Sequence, residues 1–152
     1  MTGFDRAPGD LAVRTYATVL LADVEQTPEQ AAGGRRTLRW SNAGHPPPVL
    51  RRAGRETVLL DTTPDRLLGV DPEARRADHR VDLGPGDLVL LYSDGLVERR
   101  GSDLDEGLQW LTSTVAELAD LDHEELCDAL LDHVAGRTED DVVLLALRIG
   151  NR

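Results

Sequence analysis

Asp87-Leu88-Val89-Leu90-Leu91-Tyr92-Ser93-Asp94-Gly95 is an apolar run that ends on an acidic turn. Glu139-Asp140-Asp141-Val142-Val143-Leu144-Leu145-Ala146-Leu147 reverses the order, with an acidic turn opening an apolar run. Both runs have strand length and are bounded by turn residues. Neighbouring strands running in opposite directions would bring the two acidic clusters to the same end of a sheet. Carboxylates gathered in that way form the oxygen-rich surroundings that hard divalent cations such as Mg2+ or Mn2+ require.

Upstream of this pair the chain reads as further strands. Tyr16-Ala17-Thr18-Val19-Leu20-Leu21-Ala22 is a mixed apolar run of strand type, and Thr37 to Ser41 resumes an extended pattern with Leu38 and Trp40 on one face. Between them, Glu25 to Gly34 carries Pro28 and Gly33-Gly34 without an apolar period and is expected to be a hairpin loop. The prolines of Asn42-Ala43-Gly44-His45-Pro46-Pro47-Pro48 exclude that segment from helix and from a central strand. Val49-Leu50 and Thr57 to Leu60 are expected as short strands around a turn. Asp78 to Leu83 reads as an edge strand, and Gly84-Pro85-Gly86-Asp87 as a tight turn.

Between the two acidic runs the period changes. Leu108, Leu111, Val115 and Leu118 recur at helical spacing, as do Leu126, Leu130 and Val134. Asp122 with Glu125 forms a capping box for the second helix, and Gly136 is a natural stop. Strands, a helical pair and one returning strand make an α+β fold, with helices packed on a mainly antiparallel sheet.

The composition narrows the function classes. A chain of 152 residues is enough for one domain with a core, and no apolar run is long enough to cross a bilayer. The single cysteine, Cys127, excludes an internal disulfide and points to a reducing compartment, with the cytoplasm as the expected location. A net charge of −11 argues against nucleic acid as a partner, because phosphate neutralisation needs a basic face. The arginine pairs Arg35-Arg36, Arg51-Arg52, Arg75-Arg76 and Arg99-Arg100 are scattered and are expected on solvated surface. Serine-nucleophile elbows, phosphate-binding glycine loops and zinc-type Cys/His sets do not occur in the sequence. Asp94 before a glycine and Asp140-Asp141 before a strand are each, taken separately, ordinary turn chemistry. His45 reads equally as a ligand and as a turn histidine.

Taken as an ordered series, the motifs acquire a further meaning. Tyr16-Ala17-Thr18, Ser41 to Pro48, Leu67-Leu68-Gly69, Pro85-Gly86-Asp87, Tyr92-Ser93-Asp94-Gly95-Leu96-Val97-Glu98 and Asp140-Asp141-Val142 closely resemble the metal-dependent (PPM-type) serine/threonine protein phosphatases of the bacterial SpoIIE/RsbU-like branch. The resemblance runs from Ala12 to Ile149, so residues 1–11 are a polar N-terminal segment and residues 12–149 a partial phosphatase domain. It implies a β-sandwich flanked by helices, with two Mg2+ or Mn2+ ions at one end. It also implies hydrolysis of phosphoserine or phosphothreonine on a regulatory protein, such as an anti-anti-sigma-type regulator, by a metal-activated water. By position, Asp94 and Asp140 are the metal ligands, Asp141 and Gly95 lie beside them, and Asn42 and His45 belong to a signature loop.

The family's glycine-rich Asp-x-x-Gly-x-Gly motif, which supplies another metal aspartate, has no counterpart upstream of Ala12. The resemblance therefore covers the C-terminal two-thirds of a family domain, and the N-terminal part of the fold is expected to be missing. Two consequences are expected. A catalytically incomplete phosphatase-like binding or regulatory module is the alternative to an active enzyme. Uncovered sheet edges would favour homo-oligomers.

Overall fold

The structure is a computed structural model that describes residues 16–54, 56–63, 65–71, 73–98, 103–136, 138 and 140–150. The calls on residues 1–11, Glu139 and the pair Arg99-Arg100 lie outside them. The described chain divides into two units, one holding residues 16–45 and 62–83, the other residues 46–61 and 84–150.

The first unit is a three-stranded antiparallel sheet in the order β1-β2-β5, formed by β1 (Val19–Glu25), β2 (Arg36–Ala43) and β5 (His79–Leu83). Leu38, Trp40, Ala43, Leu68 and Leu83 are its buried apolar residues. The edge position expected for the Asp78 to Leu83 strand is the one observed.

Two expectations need correction. The segment from Glu25 to Gly34 contains a short helix, α1 (Pro28–Ala32), rather than only a loop. Thr27 accepts from the Gln30 amide at 3.2 Å, and the Gln30 side chain accepts from the Thr27 amide at 2.9 Å. With Pro28 pre-set for the first helical turn, this capping box is sufficient to close one turn. The second correction concerns Asn42 and Ala43, which close the central strand, opposite Leu20 and Val19. The prolines act only three residues later, so they do not disturb those pairs.

The second unit is a four-stranded antiparallel sheet in the order β4-β3-β6-β7. Its strands are β3 (Val49–Arg51), β4 (Thr57–Leu59), β6 (Leu88–Tyr92) and β7 (Leu144–Arg148). Helices α2 (Leu104–Glu117) and α3 (His123–Val134) cover one face of it. Alternation along β6 turns Leu88, Leu90 and Tyr92 toward the helices, where they pack with Leu111, Val115, Leu126, Leu130 and Val134. The 3.6-residue period seen in the sequence is therefore the helix face of this core. Asp122 caps α3, accepting from the amides of Glu124 at 2.8 Å and Glu125 at 2.9 Å. Gly136, at φ 71°, follows the end of that helix.

The opposite face of the sheet grades from covered to open. Leu50 and Val89 are buried, whereas Val143, Leu145 and Leu147, at or just before the edge strand β7, are 64%, 60% and 38% exposed.

The turn into β6 is tightly bound. Gly86 adopts φ 84° and the Asp87 amide donates to the Gly84 carbonyl at 3.1 Å, as in a Pro-Gly type II turn. The Asp87 carboxylate is buried and accepts from the amides of Gly84 at 2.9 Å and Ala53 at 2.9 Å, and from Arg52 at 2.8 Å. Arg51 is also buried and donates to the Leu118 carbonyl at 3.3 Å. The Arg51-Arg52 pair is thus structural, not solvated surface.

Candidate metal centre

The two acidic clusters meet because of the register of β6 and β7. Tyr92 stands opposite Leu144 and Leu88 opposite Arg148, so the end of β6 and the start of β7 share one end of the sheet. Just beyond β6 the chain enters a 3-10 turn over Asp94–Leu96. Gly95 packs against the approach to β7 so closely that an added Cβ would lie 3.0 Å from the Asp141 carbonyl and 3.2 Å from the Asp140 Cβ. A side chain at position 95 would push the acidic segment back by a few tenths of an ångström, and glycine allows the close approach.

Asp94 is half-buried, while Asp140 and Asp141 are exposed. Among the described residues the Asp94 carboxylate accepts one hydrogen bond, from the Gly95 amide at 3.0 Å. Among the described residues no arginine or histidine forms an ion pair with Asp94, Asp140 or Asp141. Like charges brought near one another repel, and among the described residues most of the acceptor capacity of these carboxylates is unused. Oxygen-only donors of this kind fit a hard divalent cation in type. They do not complete its shell, since among the described residues no group of three or more metal-binding side chains occurs.

The signature loop has a structural task. Asn42 donates through Nδ2 to the His45 carbonyl at 2.7 Å and accepts through Oδ1 from the His45 amide at 2.8 Å. Its own carbonyl accepts from the Asp65 amide at 3.1 Å. Gly44 turns the chain at φ 73°, with the Leu67 side chain filling the space where a Cβ would stand. The His45 ring reaches Thr18 Oγ1 at 3.5 Å through Nδ1. Asn42 and His45 belong to the first unit, and Asp94 and Asp140 to the second. In the second unit, Tyr92 donates its hydroxyl to the Pro47 carbonyl at 2.8 Å, and burial pushes its phenol pKa upward. Burial, then Asp128, also raises the Cys127 thiol, which suits an inert cysteine rather than a nucleophile.

The residue that sequence reasoning missed is Ser93. Its hydroxyl donates to the Asp141 carbonyl at 2.9 Å and accepts from the Val143 amide at 2.9 Å. The only signal for it was a hydroxyl directly before Asp94-Gly95, and its partners lie about fifty residues away in the chain.

Comparison with known proteins accounts for this arrangement. The family model described as Stage II sporulation protein E matches residues 3–150. The chain belongs to the SpoIIE family. Its fold is that of the PPM-type phosphatase domains, in the SpoIIE/RsbU-like branch. A Mycobacterium tuberculosis protein whose RsbU and RsbW domains have been solved superposes with a TM-score of 0.80 at 27% identity, over 96% of this chain and 40% of that one. The Mn-presoaked phosphatase domain of the cell fate determinant SpoIIE from Bacillus subtilis gives 0.60 at 16% identity, over 90% and 58%. PppA of Pseudomonas aeruginosa gives 0.60 at 17%, over 93% and 61%. The chain thus spans between two-fifths and about three-fifths of these solved chains. Among the described residues no helix is long and apolar enough to cross a membrane.

Proposed function

We propose that this SpoIIE-family chain is a metal-dependent protein phosphatase that hydrolyses phosphoserine or phosphothreonine on a regulatory protein. The observation that carries the reading is the meeting of Asp94 and Asp140 at one end of the β6–β7 pair, with no cation paired to them among the described residues. Asp94 and Asp140 would hold Mg2+ or Mn2+, with Asp141 adjacent. Such an ion supplies Lewis-acid charge against the phosphoryl oxygens and lowers the pKa of a water. The protein's own part is to bring the turns that bear the carboxylates together. Gly95 allows the approach, and the β6–β7 ladder keeps the two turns at one level.

The substrate class follows from the family, and an anti-anti-sigma-type regulator is the proposed partner. Support comes from the Mycobacterium tuberculosis neighbour, which carries an RsbW domain as well as an RsbU domain. The cytoplasm is the proposed location, on the cysteine usage discussed above.

The test is release of phosphate from a phosphoserine peptide, with Mn2+ and with chelator. A rate that depends on Mn2+ and disappears with chelator is expected. A nil rate in Mn2+ would contradict enzymatic activity for this chain. A second reading, a binding module that is catalytically incomplete, is favoured by the lack of a third metal-binding side chain beside the pair among the described residues. It predicts the nil rate together with retained affinity for the phosphoprotein.

A further inference from the structure

We propose that Ser93 is a positioning residue that sets the spacing of the Asp94 and Asp140 carboxylates, by substituting its hydroxyl for its own carbonyl in the β6–β7 ladder. This deepens the phosphatase reading and rests on it.

The ladder pairs Tyr92 with Leu144, so the next pair outward would be Ser93 and Val143. In an ordinary antiparallel ladder such a pair exchanges two backbone hydrogen bonds. Here one is present, with the Ser93 amide donating to the Val143 carbonyl at 3.0 Å. The reciprocal bond is replaced. The Val143 amide donates to Ser93 Oγ at 2.9 Å, while the Ser93 carbonyl accepts from the Leu96 amide at 3.1 Å. That carbonyl opens the 3-10 turn that carries Asp94. The Ser93 carbonyl thus serves the turn, and the side chain takes its place in the ladder.

The same hydroxyl uses its proton on the Asp141 carbonyl at 2.9 Å. It therefore holds the backbone on both sides of Val142, two residues after Asp140. Gly95 packs against the same backbone from the other side, 3.0 Å from the Asp141 carbonyl to its virtual Cβ. Ser93 and Gly95 thus grip the segment bearing Asp140 from the turn bearing Asp94. Alanine at position 93 leaves the Val143 amide and the Asp141 carbonyl without that partner. Both are near solvent, so water can replace the bonds, but not the fixed spacing. Threonine keeps the hydroxyl.

The experiment compares wild type, Ser93→Ala and Ser93→Thr for Mn2+ affinity by calorimetry, and for amide exchange at Val143 without metal. Ser93→Ala is expected to weaken Mn2+ binding roughly tenfold, the lower end of what loss of a residue supporting metal ligands produces. Exchange at Val143 should accelerate in that variant, and Ser93→Thr should restore both readouts. Equal Mn2+ affinity in the wild type and a folded alanine variant would overturn the positioning role and leave the site reading intact. Absence of Mn2+ binding in wild type would overturn the site reading, and the positioning role with it. Ser93→Cys keeps the shape of the side chain, slightly enlarged, and weakens both bonds. It decides the question by the same affinity comparison should the alanine variant not fold.

Discussion

Strand β6 is flanked by two aspartates, each beside a glycine, and the two have opposite fates. Asp87 at its start is buried, and its carboxylate accepts three donors, from Gly84, Ala53 and Arg52. Asp94 beyond its end accepts one among the described residues, from the amide beside it, on a turn that packs against the segment bearing Asp140 and Asp141. The first ties the β3–β4 turn to the turn before β6, and its acceptor capacity is committed to folding. The second has one donor among the described residues, on a turn to which the fold brings more negative charge. Residue type and neighbouring glycine are alike at the two positions. What separates structure from chemistry is how many donors the fold aims at each carboxylate.

Exchanging charge for amide at each aspartate should expose that difference. Asp87→Asn removes the charge that Arg52 pairs with and turns one acceptor oxygen into a donor facing donors. A loss of about 2–4 kcal/mol of stability is expected from chemical denaturation, with Mn2+ affinity of the folded protein unchanged. A loss below about 0.5 kcal/mol would show that the buried aspartate is not the structural one.

Acid titration sharpens the same contrast. Burial acts to raise the Asp87 pKa, but the amides of Gly84 and Ala53 and the Arg52 guanidinium outweigh it and hold the carboxyl below its ordinary value. A carboxylate depressed in the folded state contributes stability that is present above the unfolded pKa, near 4, and is lost as pH falls through the lower folded value. Asp87→Asn should therefore flatten the acid limb of the stability curve below about pH 4 relative to wild type. An unchanged acid limb would contradict this.

The smallest effect is expected at the open end. Gly95→Ala places a methyl group 3.0 Å from the Asp141 carbonyl, so the acidic segment must shift by a few tenths of an ångström. A destabilisation of about 1–2 kcal/mol is expected in thermal unfolding, with weakened Mn2+ binding. Unaltered stability and affinity would mean that the approach of the two clusters is not tight.

Much of this was legible from residue order, for reasons that differ between elements. The β6–β7 pair could be read because both strands are apolar and the acidic ends are mirror images, and α2 and α3 because their apolar residues keep a helical period. Helix α1 carried its signal in Thr27 and Gln30, but Pro28 and Gly33-Gly34 suggested a loop more strongly. The structural roles of Arg51 and Arg52 could not be read, because their partners, Leu118 and Asp87, are 67 and 35 residues away. The same holds for Ser93, whose hydroxyl is satisfied across the sheet. Local patterns reveal elements, while donors delivered from distant segments are known only once the register is known.

The most direct measurement of the central claim is a calorimetric Mn2+ titration of wild type, Asp94→Asn and Asp87→Asn. The account predicts saturable binding in wild type, binding weakened about 100-fold or more by Asp94→Asn, and binding retained in folded Asp87→Asn. Equal affinity in wild type and Asp94→Asn would contradict it.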